Sequence, residues 1–155
     1  MSSRTTRVSC HVKAAREKVY RALIDPDAIK MWKFPDDMTC QVHAFEGYEG
    51  GLFRISLTYV APTGTGKTTE NTDTYHGRFL KHVPNEQVIE VDEFETDDTE
   101  LQGEMTITIT LSDAGDGTDI FAVHDGLPLN LSLADNEVGW RMALMKLAEF
   151  VEKDG

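Results

Sequence analysis

From Trp140 onward apolar residues return every third or fourth position, at Trp140, Leu144, Leu147, Ala148 and Val151, which is the period of one helical face. Met145 and Phe150 widen this stripe, while Glu149 and Glu152 keep the other side polar. Ser132 or Asp135 can cap the start, Glu137 suits the positive end of the helix dipole, and Lys153 and Gly155 suit the other end. The spacing predicts a helix over Leu131–Lys153, about 30 Å long. Its apolar face is too broad to meet water and needs a large curved surface to lie on. Gly139, just before Trp140, is expected to let the backbone approach that surface closely.

Upstream the dominant period is two. Val8, Cys10 and Val12 alternate with Arg7, Ser9 and His11, the mark of a half-buried strand. Ala14–Ile24 then places Val19, Ala22 and Leu23 on one helical face. Asp25-Pro26 breaks that helix and starts a second, with Asp25 as N-cap and Pro26 in the first turn. The second helix carries Ile29 and Trp32 and stops before Phe34-Pro35. Further strands are predicted over Cys40–Phe45, Phe53–Tyr59, Asp73–His82, Glu86–Phe94, Gly103–Leu111 and Thr118–Asp125, with turns at Glu46–Gly51 and Asp113–Gly117. Short connections make successive strands antiparallel neighbours. The order implies an α+β fold: a curved seven-stranded antiparallel sheet wrapped around a long C-terminal helix, with two short helices after strand 1. With no repeat, low-complexity tract or linker, residues 1–155 are expected to form a single domain.

Charge narrows the partners. A net charge of −12 argues against nucleic acid and against docking on anionic membrane through basic patches. No apolar run approaches the roughly 18 residues a membrane span needs, and the N-terminus lacks a signal-peptide core, so a cytoplasmic location is expected. Cys10 and Cys40 could pair as a disulfide, but reduced, buried thiols are the expected reading.

Five motifs in order carry a resemblance. They are A-x-x-x-V-Y-R-A-L-I-D-P-D-A-I-K-M-W at Ala15 to Trp32, G-Y-E-G-G-L-F-R at Gly47 to Arg54, and Y-H-G-R-F-L-K-H-V-P-N-E-Q-V at Tyr75 to Val88. G-T-D-I-F-A-V-H-D-G-L-P at Gly117 to Pro128 and G-W-R-M-A-L-M-K-L at Gly139 to Leu147 follow. Together the chain resembles the activator of heat-shock-protein-90 ATPase homologue (AHSA-like) family, within the START/SRPBCC (polyketide cyclase and birch-allergen-like) superfamily. The resemblance implies a helix-grip fold with a cavity between sheet and long helix. Its members include ligand binders, chaperone-linked domains, resistance proteins and a few enzymes. Two departures stand out: Glu90 and Asp92 occupy a strand where relatives carry apolar or aromatic residues, and outward Phe121 and Val123 suggest a contact surface.

Several candidate chemistries meet plainer readings. Ala61 to Thr68, APTGTGKT, differs from a phosphate-binding loop only by Ala in place of the first Gly. That loop needs a helix directly after it, and the β-prone TTENTDTYHG follows instead, so a mobile hairpin loop is expected. His11, His43, His76, His82 and His124 show no metal-ligand spacing, and no nucleophile elbow occurs, so no metal, cofactor or catalytic residue is assigned. Glu90 and Asp92 share one strand face. Ile89 and Val91 are expected to point inward instead, because burying two carboxylates costs several kcal/mol. With the opposite register the cavity would hold acids of raised pKa, and an acid–base role would reopen.

The expected function is binding of a hydrophobic small molecule without a cofactor, in the cavity beneath the last helix. Trp32, Phe34, Phe53, Tyr75, His124, Trp140 and Leu144 are the candidate ligand-binding residues, each also readable as core packing. A chaperone-associated or other protein-interaction role is the second reading, and a cyclase- or hydrolase-type enzyme the third. The protein is expected to be a monomer or a homodimer.

Overall fold

The structure is a computed structural model that describes residues 4–60, 71–129 and 131–153. Its elements run β1 (Thr5–Val12), α1 (Arg16–Ile24), α2 (Pro26–Trp32), β2 (Met38–Phe45), β3 (Leu52–Tyr59), β4 (Thr72–Val83), β5 (Gln87–Phe94), β6 (Met105–Ala114), β7 (Gly117–Asp125) and α3 (Leu133–Lys153). The strands form one seven-stranded sheet in the order β1-β7-β6-β5-β4-β3-β2, every pair antiparallel. The sheet curls around α3, giving the α+β helix-grip architecture.

Local chemistry explains the element ends. Asp25 accepts a hydrogen bond from the Asp27 amide at 2.9 Å, and Pro26 follows it at the first helical position of α2. Ser132 supplies the start of α3, its hydroxyl accepting from the Asp135 amide at 3.1 Å. Arg4 fastens the approach to that helix, donating from Nε to Pro128 O at 3.1 Å and from Nη2 to Leu131 O. The register slips between Val42 and Ala44 on β2 and between Phe79 and Lys81 on β4, and such bulges sharpen the bend a curled sheet needs.

The packed core joins α1, α2, the second half of α3 and the inner faces of β1, β6 and β7 through Val12, Val19, Ile29, Trp32, Ile120, Leu147 and Val151. Three local expectations are corrected. Met145 is 64% exposed and lies outside the apolar stripe, where Ala143 takes its place. Cys10 and Cys40 are free but only half-buried. A Cβ on Gly139 would meet nothing nearer than Pro35 Cβ at 3.9 Å, so that glycine marks no close approach. The Ala61 to Thr68 stretch lies outside the described residues; β3 and β4 on its two sides are antiparallel neighbours, with Thr58 opposite Thr72. No described helix is long and apolar enough to cross a membrane.

Gly77 is the glycine whose missing side chain matters most for the cavity side of the sheet. It pairs with Asp92 on β5, and a Cβ there would run into Val91 O and within 2.6 Å of the Phe53 ring. Gly77→Ala should therefore lower the stability to urea by about 1–3 kcal/mol, as overpacking does. An unchanged unfolding midpoint would mean that β4 and β5 move apart at no cost.

Candidate functional site

The first half of α3 reaches the sheet through the Trp140 side chain, which bonds His124 of β7. Between it, the segment after α2 and the inner faces of β3 to β7 lies a partly open cavity of about 590 Å³. That volume is in the range of sites that hold one drug-sized molecule. Trp140 and Ala143 of α3, Phe34 and Pro35 after α2, and Leu57, Phe94 and Ile107 of the sheet give it mainly apolar walls. Its polar side chains include Lys33, Tyr75, Asp92 and His124.

Lys33 is the residue that closes α2, its amide donating to Ile29 O at 3.0 Å. From there its ammonium lies 2.6 Å from Glu90 Oε1, with the two side chains 8% and 2% exposed. It also sits 5.8 Å from the centre of the Phe53 ring. Burial alone would lower the Lys33 pKa, but the charges of Glu90 and Asp92 outweigh it and hold it above its ordinary value. Burial alone would raise the Glu90 pKa, and the Lys33 charge turns the net shift downward.

Glu90 and Asp92 thus face inward, 2% and 4% exposed, which corrects the expectation that Ile89 and Val91 would do so. Ile89 is half-buried, and Val91 is buried against the opposite face of the sheet. The cost that argued for the other register is met in two ways. Lys33 neutralises Glu90, and the Asp92 pKa is raised well above the ordinary value, by burial first and by the Glu90 charge second, which favours its neutral form. The two acids act on each other in opposite senses, the contact lowering the Glu90 pKa and raising that of Asp92.

His124 is the best-defined polar group of the cavity. Trp140 Nε1 donates to its Nδ1 at 3.0 Å. An indole nitrogen only donates, so Nδ1 must accept, and the neutral imidazole carries its proton on Nε2. Nε2 faces the Met105 sulfur at 3.2 Å, a weak acceptor. Burial is the main cause that lowers its pKa to about 4.

Of the seven candidate residues, Phe34, Tyr75, His124 and Trp140 line the cavity. Trp32 is fully buried, with Nε1 donating to Ala22 O at 2.8 Å, so that it bolts α2 to α1. Phe53 packs in a ring cluster with Phe45, Tyr75 and Phe79. Leu144 lies in the core. Lys33 was missed. A lysine at a helix C-terminus reads as complementing the dipole, and its partner Glu90 stands 57 residues away.

An apolar cavity roofed by the final helix of a helix-grip fold defines a class of proteins, and the sequence assigns the chain within it. It belongs to the activator of Hsp90 ATPase homolog 1-like protein family, whose sequence profile matches residues 13–152. A solved protein from Chromobacterium violaceum is 32% identical with a TM-score of 0.85, the match covering 96% of this chain and 97% of that one. A protein from Arthrobacter aurescens is 15% identical with a TM-score of 0.80, covering 96% and 86%. The Aha1 dimer from Colwellia psychrerythraea is 18% identical with a TM-score of 0.65, covering 96% of each chain. The last two likenesses bear on the fold alone. Comparison with the curated proteins gave no match.

The His124 pKa gives a pH test. Its folded value, about 4, lies below the ordinary 6.5, so between these values the folded state binds fewer protons than the unfolded one. The stability is present above pH 6.5 and is lost as pH falls toward 4. The native protein should lose roughly 2 kcal/mol between pH 7 and pH 5 through this group. Urea unfolding at both pH values should show a smaller loss for His124→Gln. Equal losses would mean that His124 does not titrate differently in the two states.

Proposed function

We propose that this protein binds a hydrophobic small molecule in the cavity between the sheet and α3. The observation that carries the reading is the cavity itself, about 590 Å³ with mainly apolar walls and a few inward polar groups, the usual composition of a ligand site. Phe34, Tyr75, His124 and Trp140 make the direct contacts in this reading. Trp32, Phe53 and Leu144 act from behind, holding the walls in place. Binding of this kind needs no cofactor.

A second reading, a chaperone-associated or other protein-interaction domain, draws on the family and on the outer face of the sheet. Phe121 is 45% exposed there beside half-buried Val123 on β7. The Colwellia psychrerythraea relative is described as a dimer, which supports self-association as one form of that role. A cyclase- or hydrolase-type activity is the third reading, supported by Asp92 at the cavity wall, whose pKa burial raises well above the ordinary value.

The ligand reading is tested with the neutral dye Nile red. Saturable binding with one site per chain and a blue-shifted emission is expected. Ala143 lines the cavity from α3, so Ala143→Phe should fill it and weaken binding by about tenfold or more with the fold retained. Unchanged dye binding in that variant, or none in the native protein, would sink the reading and favour the protein-interaction role.

A further inference from the structure

The polar groups of the cavity point to the kind of molecule it takes, an inference that rests on the ligand-binding reading above. Among the described residues the cavity lining contains one cation, Lys33, and its ammonium already lies 2.6 Å from Glu90. The neighbouring Lys146 stands outside the lining, 3.7 Å from the centre of the Phe34 ring and 3.2 Å from Asp36. A ligand carboxylate would therefore meet no uncommitted positive charge. It would also meet Asp37 and Asp135, exposed acids of the lining. Desolvating an anion without a counter-charge costs several kcal/mol.

Neutral donors are present instead. Tyr75 is buried on β4 with its ring against Phe53, and its hydroxyl makes no side-chain hydrogen bond among the described residues. His124 is held by Trp140 with its Nε2–H turned to the Met105 sulfur, the poorest of acceptors. Buried hydroxyl and ring N–H groups ordinarily have better partners than these. Both belong to the inner face of the sheet, and both line the same cavity.

We propose that the molecule held in this cavity is neutral and apolar and bears a carbonyl group, whose oxygen is met by the Tyr75 hydroxyl, while carboxylates are rejected. That donor supplies direction in an otherwise greasy site. The Lys33–Glu90 pair supplies the rejection, because it leaves the inner wall without net charge.

Three matched fluorescent probes test this: 1-acetylpyrene, 1-ethylpyrene and 1-pyrenecarboxylate, titrated at pH 7.5. The ketone should bind about tenfold more tightly than the carboxylate, and several-fold more tightly than the hydrocarbon. Tyr75→Phe keeps the ring and removes only the hydroxyl. It should weaken the ketone about fivefold and leave the hydrocarbon unchanged. A carboxylate that binds as well as the ketone would overturn the proposal. So would a ketone that matches the hydrocarbon in both proteins. In either case, hydrocarbon binding leaves the apolar-ligand reading standing; if none of the three binds, both fall. Should Tyr75→Phe fail to fold, the ketone-to-carboxylate ratio of the native protein decides alone.

Discussion

The ion pair between Lys33 and Glu90 is the constraint around which the cavity end of the molecule is arranged. Both side chains are nearly inaccessible to water, and the ammonium lies 2.6 Å from the carboxylate. Removing two charges from water is expensive, and their mutual attraction repays it only with close geometry and further neutralisation. The site provides both, through the short contact and through the raised pKa of Asp92, which favours the neutral form beside the pair. Deleting either partner would strand the other as a buried charge, typically a cost of about 3–5 kcal/mol. The pair also ties the end of α2 to β5, the fourth of seven strands from either edge of the sheet. With Lys33 fixed, Phe34 and Pro35 next to it are fixed as the cavity wall.

This arrangement separates what the sequence could say from what it could not. The helix α3, the Asp25-Pro26 break and the alternation of β6 are local patterns, and each appears where its period places it. The inward face of β5 is not a local matter. Read alone, Glu90 and Asp92 belong outside, because isolated carboxylates do not survive burial. The compensating charge comes from a residue at the end of a helix that no period links to that strand. The same limit applies to the aromatic residues. Trp32 in the core and Trp140 on the cavity both fall on apolar helical positions. Only the space left beneath the start of α3 tells them apart. Met145 shows the converse, an apolar residue at a plausible spacing that the curl of the sheet leaves in water.

The two ends of α3 have different physical tasks. Its C-terminal half, through Leu147 and Val151, closes a packed core with Val12, Val19 and Ile120. Its N-terminal half, through Trp140 and Ala143, roofs the cavity. Around the cavity the walls pack less densely against one another than the core does, so the hold on α3 comes from elsewhere. The core end, the Arg4 tether to Pro128 and Leu131, and the Ser132 cap hold the helix in place without the sheet directly beneath its first turns. Any molecule that binds this cavity in the folded state alone stabilises that state by mass action. The hollow end and the packed end are therefore coupled through one rigid helix, and occupancy of the first should be felt as stability of the second.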